Sequence, residues 1–179
     1  ILVDEERQMA EIAPIYDCGS CLYPQLAVEE MEHIQRRIKN YDIQIKAYVD
    51  ELCPNLLTIP GVGYTTAGLI VGEIRDITRF YSAESLISYS GIDVSVYESG
   101  KYKAKNCMPS KKGSKYLRYA LFQVSRIIWQ HDPIFRVYYE KKQSEGKHYF
   151  VILGHIQKKV VRVVYSILKK QYDLQSGSY

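Results

Sequence analysis

The sequence predicts a mainly α-helical protein in which a long coiled-coil helix precedes a helical domain. This domain contains a helix-hairpin-helix-like element and a small β-hairpin or loop insert. Apolar residues recur at helical spacing through most of the chain, and turns rich in glycine and proline separate the helical segments. Only the middle of the chain changes to β-branched and aromatic residues. We divide the chain into an irregular segment (1–23), the coiled-coil helix (24–55), the helical domain (56–172) and a flexible tail (173–179).

The long helix is predicted from a heptad repeat. Apolar or aromatic residues follow one another at alternating spacings of four and three, namely Ala27, Met31, Ile34, Ile38, Tyr41, Ile45, Tyr48 and Leu52. Such a repeat lines one seam of a helix and typically joins helices to each other. We therefore expect a homo-oligomer assembled through residues 24–55. Pairing within a larger protein and packing on a core are the alternatives.

The next segment, LLTIPGVGYTTAGLIVGEI over 56–74, is typical of a helix-hairpin-helix element. Gly61 and Gly63 permit a tight turn whose backbone amides are exposed at a helix N-terminus. Such amides bind a phosphate without reading the base sequence, so both glycines are candidate nucleic-acid contacts. Ala67 and Gly68 would let the following helix pack closely. A plain connection between two helices is the alternative.

Capping residues predict the remaining helices. Ser82 begins a short helix that Gly91 ends, and Ser114 begins a helix that runs to about Gln130. Asp132 and Pro133 begin the next helix, and a last helix spans about 148–171. The inward faces of the two longer helices are predicted to hold Leu117, Leu121, Val124 and Ile128 in one, and Ile152, Ile156, Val160, Val163 and Ile167 in the other.

The segment over 92–105 is predicted to be a hairpin or extended loop with Ser99 near its tip. It opens a stretch from Ser99 to His131 without any Asp or Glu, in a chain of net charge +4. Such a stretch favours a polyanionic partner, although a solvated surface is the alternative. The candidate phosphate contacts are Lys101, Lys103, Lys105, Lys111, Lys112, Lys115 and Arg118.

Several protein classes are disfavoured by the sequence. No apolar run is long enough for a membrane helix, and the acidic start at Asp4 is not a signal peptide, so we expect a cytoplasmic protein without membrane contact. Only Cys18 and Cys21 form a CxxC pair, and a zinc site would need other ligands brought in by folding. No P-loop or HExxH string is present, and we predict no metal or cofactor site in this chain.

Ser99 is the candidate nucleophile because Gly100 leaves its Oγ sterically free among lysines that would attract and stabilise a phosphate. A plain turn at Ser99 is the structural alternative. Ser95 is the rival nucleophile, but no glycine follows it.

An ordered set of motifs over 57–169 resembles the C-terminal transposase domain of the insertion sequence one-ten family. The matching pieces are IPGVGYTTAGLIVGEIRDITRF, SAESLISYSGID, VYESGKYK, SKKGSKYLRYALFQVS, HDPIFRVYYEKK and GKHYFVILGHIQKKVVRVVYSILK. The resemblance implies a recombinase that moves a mobile element under the guidance of an RNA. It also implies a RuvC-like N-terminal half with four metal-binding acids, followed by a coiled coil and this domain. The serine of the family's SG motif falls on Ser99, where it would attack the DNA phosphate covalently.

The chain departs from the family pattern because it has no RuvC-like half. We therefore expect Mg²⁺ only in the full-length protein, and we expect this chain alone to bind DNA or RNA without recombining DNA. Two other functions remain open. One is a non-catalytic helix-hairpin-helix module that tethers DNA in a repair or recombination complex, and the other is a purely structural dimerisation protein.

Overall fold

A computed structural model describes residues 22–93, 98–99, 102–103 and 112–176. The described chain is mainly helical, as predicted. The α-helices are α1 (Leu22–Leu52), α2 (Tyr64–Ile74), α3 (Ala83–Ser90), α4 (Lys115–His131), α5 (Pro133–Ser144) and α6 (Tyr149–Ser176). Short 3-10 helices cover Pro54–Thr58 and Ile77–Arg79, and two short strands, β1 (Glu98–Ser99) and β2 (Tyr102–Lys103), pair antiparallel. None of the helices in these ranges is both long and apolar enough to cross a membrane.

The chain divides into two units, Ile1–Gln44 and Ile45–Tyr179. In the first unit the structure describes only α1, whose side chains from Gln25 to Gln44 are all exposed. The heptad residues Met31, Ile34, Ile38 and Tyr41 are among them. The heptad is thus helical as predicted, while the partner that would cover its seam stays a prediction.

The second unit has one hydrophobic core, with α4 at its centre. Helix α4 packs against α2, α5 and α6, and α6 also packs against α3 and both 3-10 helices. All four predicted inward residues of α4 are buried. The last turns of α1 contribute Val49 and Cys53 to this core, and burial raises the pKa of the Cys53 thiol. Neither residue belongs to the predicted heptad, so this part of α1 buries a different face.

Most predicted helix ends are confirmed by the capping contacts. The Ser82 side chain accepts a hydrogen bond from the Ser85 amide, and Gly91 ends α3 with a φ of +66°. The Asp132 carboxylate accepts hydrogen bonds from the Ile134 and Phe135 amides at 2.8 and 3.1 Å. Local sequence therefore determines where these helices begin and end.

Helix α6 is longer and more widely buried than predicted. It continues past the predicted end at Gln171 to Ser176, with an ion pair between Lys169 and Asp173 in its last turns. Ile152, Ile156 and Val160 are buried as predicted, but Val163 and Ile167 are only partly buried. The buried face also includes Leu153, Val161 and Val164. It is wider because several elements cover this helix.

The segment predicted as a helix-hairpin-helix begins with a 3-10 helix rather than an α-helix. Pro54 ends α1, because the residue before a proline is disfavoured in the α conformation and Cys53 has left it. The turn over Ile59–Gly63 follows, with Ile59 and Val62 buried. As predicted, Ala67 is fully buried in α2, and a Cβ on Gly68 would lie 2.8 Å from Ile45 Cγ2.

Candidate functional site

Ser99 lies in β1, which forms a two-stranded antiparallel pair with β2. The register pairs Ser99 with Tyr102 and Glu98 with Lys103, so only Gly100 and Lys101 separate the inner pair in sequence. The predicted β-hairpin is confirmed at these four residues. The rival Ser95 lies outside the described residues.

We call residues 94–111 the serine segment. The two ends of the serine segment are held together at the C-terminus of α3. The Ser114 amide donates a hydrogen bond to the Tyr89 carbonyl at 3.0 Å. Gly113 lies so close that a Cβ there would be 1.9 Å from the same carbonyl oxygen. Only glycine fits this approach between two backbone stretches. The chain therefore leaves the core at Asp93 and returns to it at Lys112 beside its point of departure.

A hydrogen-bond network fixes this closure to α2. The Ser114 hydroxyl accepts from the Leu117 amide at 3.0 Å, which confirms the predicted helix cap. It also donates to Glu73 Oε2 at 2.7 Å, and the Tyr89 hydroxyl donates to the Glu73 carbonyl at 3.4 Å. Three separate parts of the chain thus meet at the base of the serine segment. Glu73 was missed by sequence reasoning because no short-range pattern connects it with Ser114.

Arg118 also holds this base. Its Nη1 donates a hydrogen bond to the Ser90 carbonyl at 3.2 Å, and the side chain is half-buried. This contact neutralises part of the negative end of the α3 dipole. Arg118 therefore has a structural contact in addition to its predicted contact with phosphate.

The predicted lysines are only partly covered by the structure. Lys112 and Lys115 are exposed, and Lys115 Nζ lies 4.9 Å from the centroid of the Tyr116 ring. For Lys103 the structure describes the backbone in β2. Lys101, Lys105 and Lys111 lie outside the described residues. The exposed pair at the start of α4 adds positive charge where the backbone amides of that helix already favour an anion.

The two glycines of the turn have different surroundings. Gly61 has a φ of +89°, and a Cβ there would lie 2.9 Å from Ile127 Cβ, so this glycine lets the turn pack on α4. Gly63 is exposed, precedes the first residue of α2 and would place a Cβ in open space. No side chain caps α2, which leaves its first amides available. Of the two, Gly63 has the geometry predicted for a phosphate contact.

The described residues do not offer a ligand set for Mg²⁺. No group of three or more His, Cys, Asp or Glu side chains converges there in a way that could hold a metal ion. We therefore derive no step through a metal for this part of the chain.

Comparison with known proteins connects this fold to DNA recombination. Residues 53–140 match the family described as "Transposase IS116/IS110/IS902 family". The chain is 28% identical over 137 residues to the "Insertion element IS110 uncharacterized 43.6 kDa protein" of Streptomyces coelicolor, covering 76% of this chain and 34% of that protein.

Two further relatives carry functional names. The "Pilin gene-inverting protein" of Moraxella bovis is 30% identical over 116 residues, which cover 64% of this chain and 36% of the relative. The "Transposase for insertion sequence element IS1328" of Yersinia enterocolitica is 33% identical over 102 residues, which cover 57% of this chain and 29% of the relative. The chain thus spans about a third of the length of these relatives.

Proposed function

Residues 53–140 form a transposase domain of the IS116/IS110/IS902 family, and we propose that this chain is the serine-bearing part of a DNA recombinase. Its relatives are named for two rearrangements, transposition and the inversion of a pilin gene. Both require DNA strands to be cut and rejoined. The substrate class proposed here is therefore double-stranded DNA at the ends of a mobile or invertible element.

In the proposed reaction, Ser99 Oγ attacks a DNA phosphorus. A serine–phosphorus bond forms, the bond from phosphorus to one deoxyribose oxygen breaks, and the serine proton passes to that leaving oxygen. Attack by a deoxyribose hydroxyl of another strand then rejoins the DNA and returns the proton to Ser99. The exchange conserves phosphodiester energy, and lysines near the serine would stabilise the charge that develops on the phosphate.

The closed base of the serine segment is the observation that carries this proposal. The Ser114–Tyr89 and Ser114–Glu73 hydrogen bonds anchor the returning strand to the rigid core within a few residues of the hairpin. A nucleophile must be held in a defined position to react efficiently. A segment closed at its base meets that requirement better than an open loop of the same length.

The test is a Ser99→Ala substitution in the full-length protein, with Ser95→Ala as the matched control. We expect Ser99→Ala to abolish recombination of a plasmid substrate and to remove the covalent protein–DNA species seen on denaturing gels. Ser95→Ala should retain both. Normal recombination by Ser99→Ala would disprove the assignment, and loss only with Ser95→Ala would transfer the role to Ser95.

Three finer features belong to the same proposal. A guide RNA binds the full-length protein, Mg²⁺ is supplied by acids outside this chain, and α1 joins copies of the chain. The third is supported by the exposed heptad residues of α1.

A non-catalytic DNA-tethering module is the second candidate function. It is favoured by the uncapped N-terminus of α2 beside exposed Gly63. This alternative predicts DNA binding that falls with salt together with full activity of Ser99→Ala, so the same substitution separates the two functions.

A further inference from the structure

Helix α6 carries a basic surface that the candidate site does not include. From His148 to Tyr172 the sequence has no Asp or Glu. The basic and imidazole side chains of this stretch are His148, His155, Lys158, Lys159, Arg162, Lys169 and Lys170. At about 100° per residue, these seven positions fall within a sector of about 120° on the helix. We call this surface the α6 stripe.

The opposite side of α6 is buried in the core, through Leu153, Val160 and Val164 among others. None of the seven stripe residues is buried. The helix therefore separates an apolar side that holds the fold from a cationic side that faces water. Such a strict separation over more than six turns is stronger than core packing requires.

Neighbouring elements add further positive charge near the middle of the stripe. Desolvation lowers the pKa of His155, and the ammonium groups of Lys142, Lys158 and Lys147 lower it further. Glu145 is the one nearby carboxylate with the opposite effect, and it is paired with Lys142 at 2.7 Å. The field around His155 is therefore positive on balance, which attracts an anion.

Two stripe cations pair with acids near the serine segment. Lys158 Nζ lies 2.8 Å from Asp93 Oδ1, and Arg162 Nε lies 3.1 Å from Glu84 Oε1. Both carboxylates are more than half exposed. Exposed pairs of this kind contribute only about 0–1 kcal/mol each, so an incoming phosphate can replace the carboxylate at small cost. Asp93 directly precedes the serine segment, so the stripe borders that segment.

The shape and chemistry of the stripe favour double-helical DNA. From His148 to Lys170 the helix extends about 33 Å, at about 1.5 Å per residue, close to one turn of duplex DNA, about 34–36 Å. Single-stranded nucleic acid is usually bound by exposed aromatic rings on which bases stack. Here the Tyr138 ring is covered by Lys159 at 4.2 Å, and the Tyr165 hydroxyl donates to the Phe80 carbonyl. Charge without an open stacking surface fits a phosphate backbone.

We propose that the α6 stripe binds the phosphate backbone of double-helical DNA beside the serine segment. This inference rests on the proposed function for the identity of the DNA as recombination substrate, but binding can be measured without recombination. The DNA phosphates displace Asp93 and Glu84 from their cationic partners when the duplex docks.

The test compares two double variants that break the same two ion pairs from opposite sides. Lys158→Gln with Arg162→Gln removes the cations, and Glu84→Gln with Asp93→Asn removes the acids. Binding of a duplex is measured by fluorescence anisotropy from 50 to 200 mM salt, and thermal unfolding checks that both variants are folded.

We expect the cation variant to bind more weakly and the acid variant to bind more tightly than the parent chain. Each lost phosphate contact should reduce the slope of log K against log salt by about 0.9. Two lost contacts reduce the affinity loss between 50 and 200 mM salt by about 12-fold. The acid variant should keep the parent slope.

A purely structural role of the ion pairs would change both variants in the same direction and overturn the inference, as would an unchanged slope in the cation variant. Stripe-dependent preference for single-stranded DNA or duplex RNA would overturn the assignment to duplex DNA. An unchanged slope in a chain that still binds DNA leaves the proposed function intact. Conversely, normal recombination by Ser99→Ala leaves the stripe intact.

Discussion

Replacing Gly113 by alanine should open the base of the serine segment. The added Cβ would lie 1.9 Å from the Tyr89 carbonyl oxygen, 2.7 Å from its carbon and 2.9 Å from the Gly91 nitrogen. All three are backbone atoms, so no side-chain rotation relieves the overlap. Residues 112–114 must move by more than 1 Å, which breaks the hydrogen bonds from Ser114 to Tyr89 and Glu73.

The cost follows from the lost contacts. Two hydrogen bonds contribute about 0.5–1.5 kcal/mol each, and overpacking adds about 1–3 kcal/mol. We therefore expect the free energy of unfolding to fall by about 3 kcal/mol, in the middle of these ranges. For a chain of this size, this corresponds to a melting temperature lower by roughly 6–12 °C.

Gly154→Ala on α6 is the matched control, because a Cβ there meets nothing within 4 Å. Alanine is favoured over glycine inside a helix by about 0.8–1.0 kcal/mol, so this variant should be more stable than the parent chain. Urea unfolding followed by circular dichroism measures both changes. If Gly113→Ala were as stable as the parent chain, the close approach at Tyr89 would be refuted.

Three further predictions concern the fold. Asp132→Ala removes the cap of α5 and should lower the free energy of unfolding by about 1 kcal/mol in urea titrations, whereas Asp132→Asn should keep most of it; equal losses would contradict the capping role. Leu153→Ala removes a fully buried side chain and should cost about 2–5 kcal/mol by the same titration, unlike the exposed Leu174→Ala. Hydrogen bonds from Thr78 lower the pKa of Asp76 below its ordinary value of 3.8. Its stabilising contribution is therefore present above about pH 3.9, the pKa of an unfolded Asp, and is lost as the pH falls through the lower folded value. Acid unfolding of Asp76→Asn should lack this part of the pH dependence; an unchanged acid profile would argue against it.

Local signals predicted the helices well because each signal acts within a few residues. Ser114 and Asp132 cap their helices through amides two or three positions away. The heptad repeat likewise predicted a helix, which α1 confirms. It did not reveal that Val49 and Cys53 face the core, because burial by distant elements leaves no periodic signature that distinguishes it from a second seam.

The base of the serine segment depends on contacts that sequence spacing does not encode. Glu73 reaches Ser114, and Arg118 reaches Ser90, only after α2, α3 and α4 have packed together. Gly61 was assigned to phosphate binding because its conformational freedom is visible in the sequence, while its approach to Ile127 is not. The α6 stripe did have a sequence signal, the acid-free stretch from His148 to Tyr172. The charge argument had rested on the earlier stretch from Ser99 to His131.

The closed base also has a consequence for how such proteins can diversify. Because the Ser114–Tyr89 hydrogen bond joins the two ends of the serine segment, the core does not depend on what lies between them. Doubling the length of a closed loop costs only about 0.6 kcal/mol of entropy. Insertions, deletions or whole exchanges between Asp93 and Lys112 should therefore be tolerated by the fold. Evolution, or an engineer, can vary the reactive part of this domain as a replaceable cassette while the helices that carry it stay unchanged.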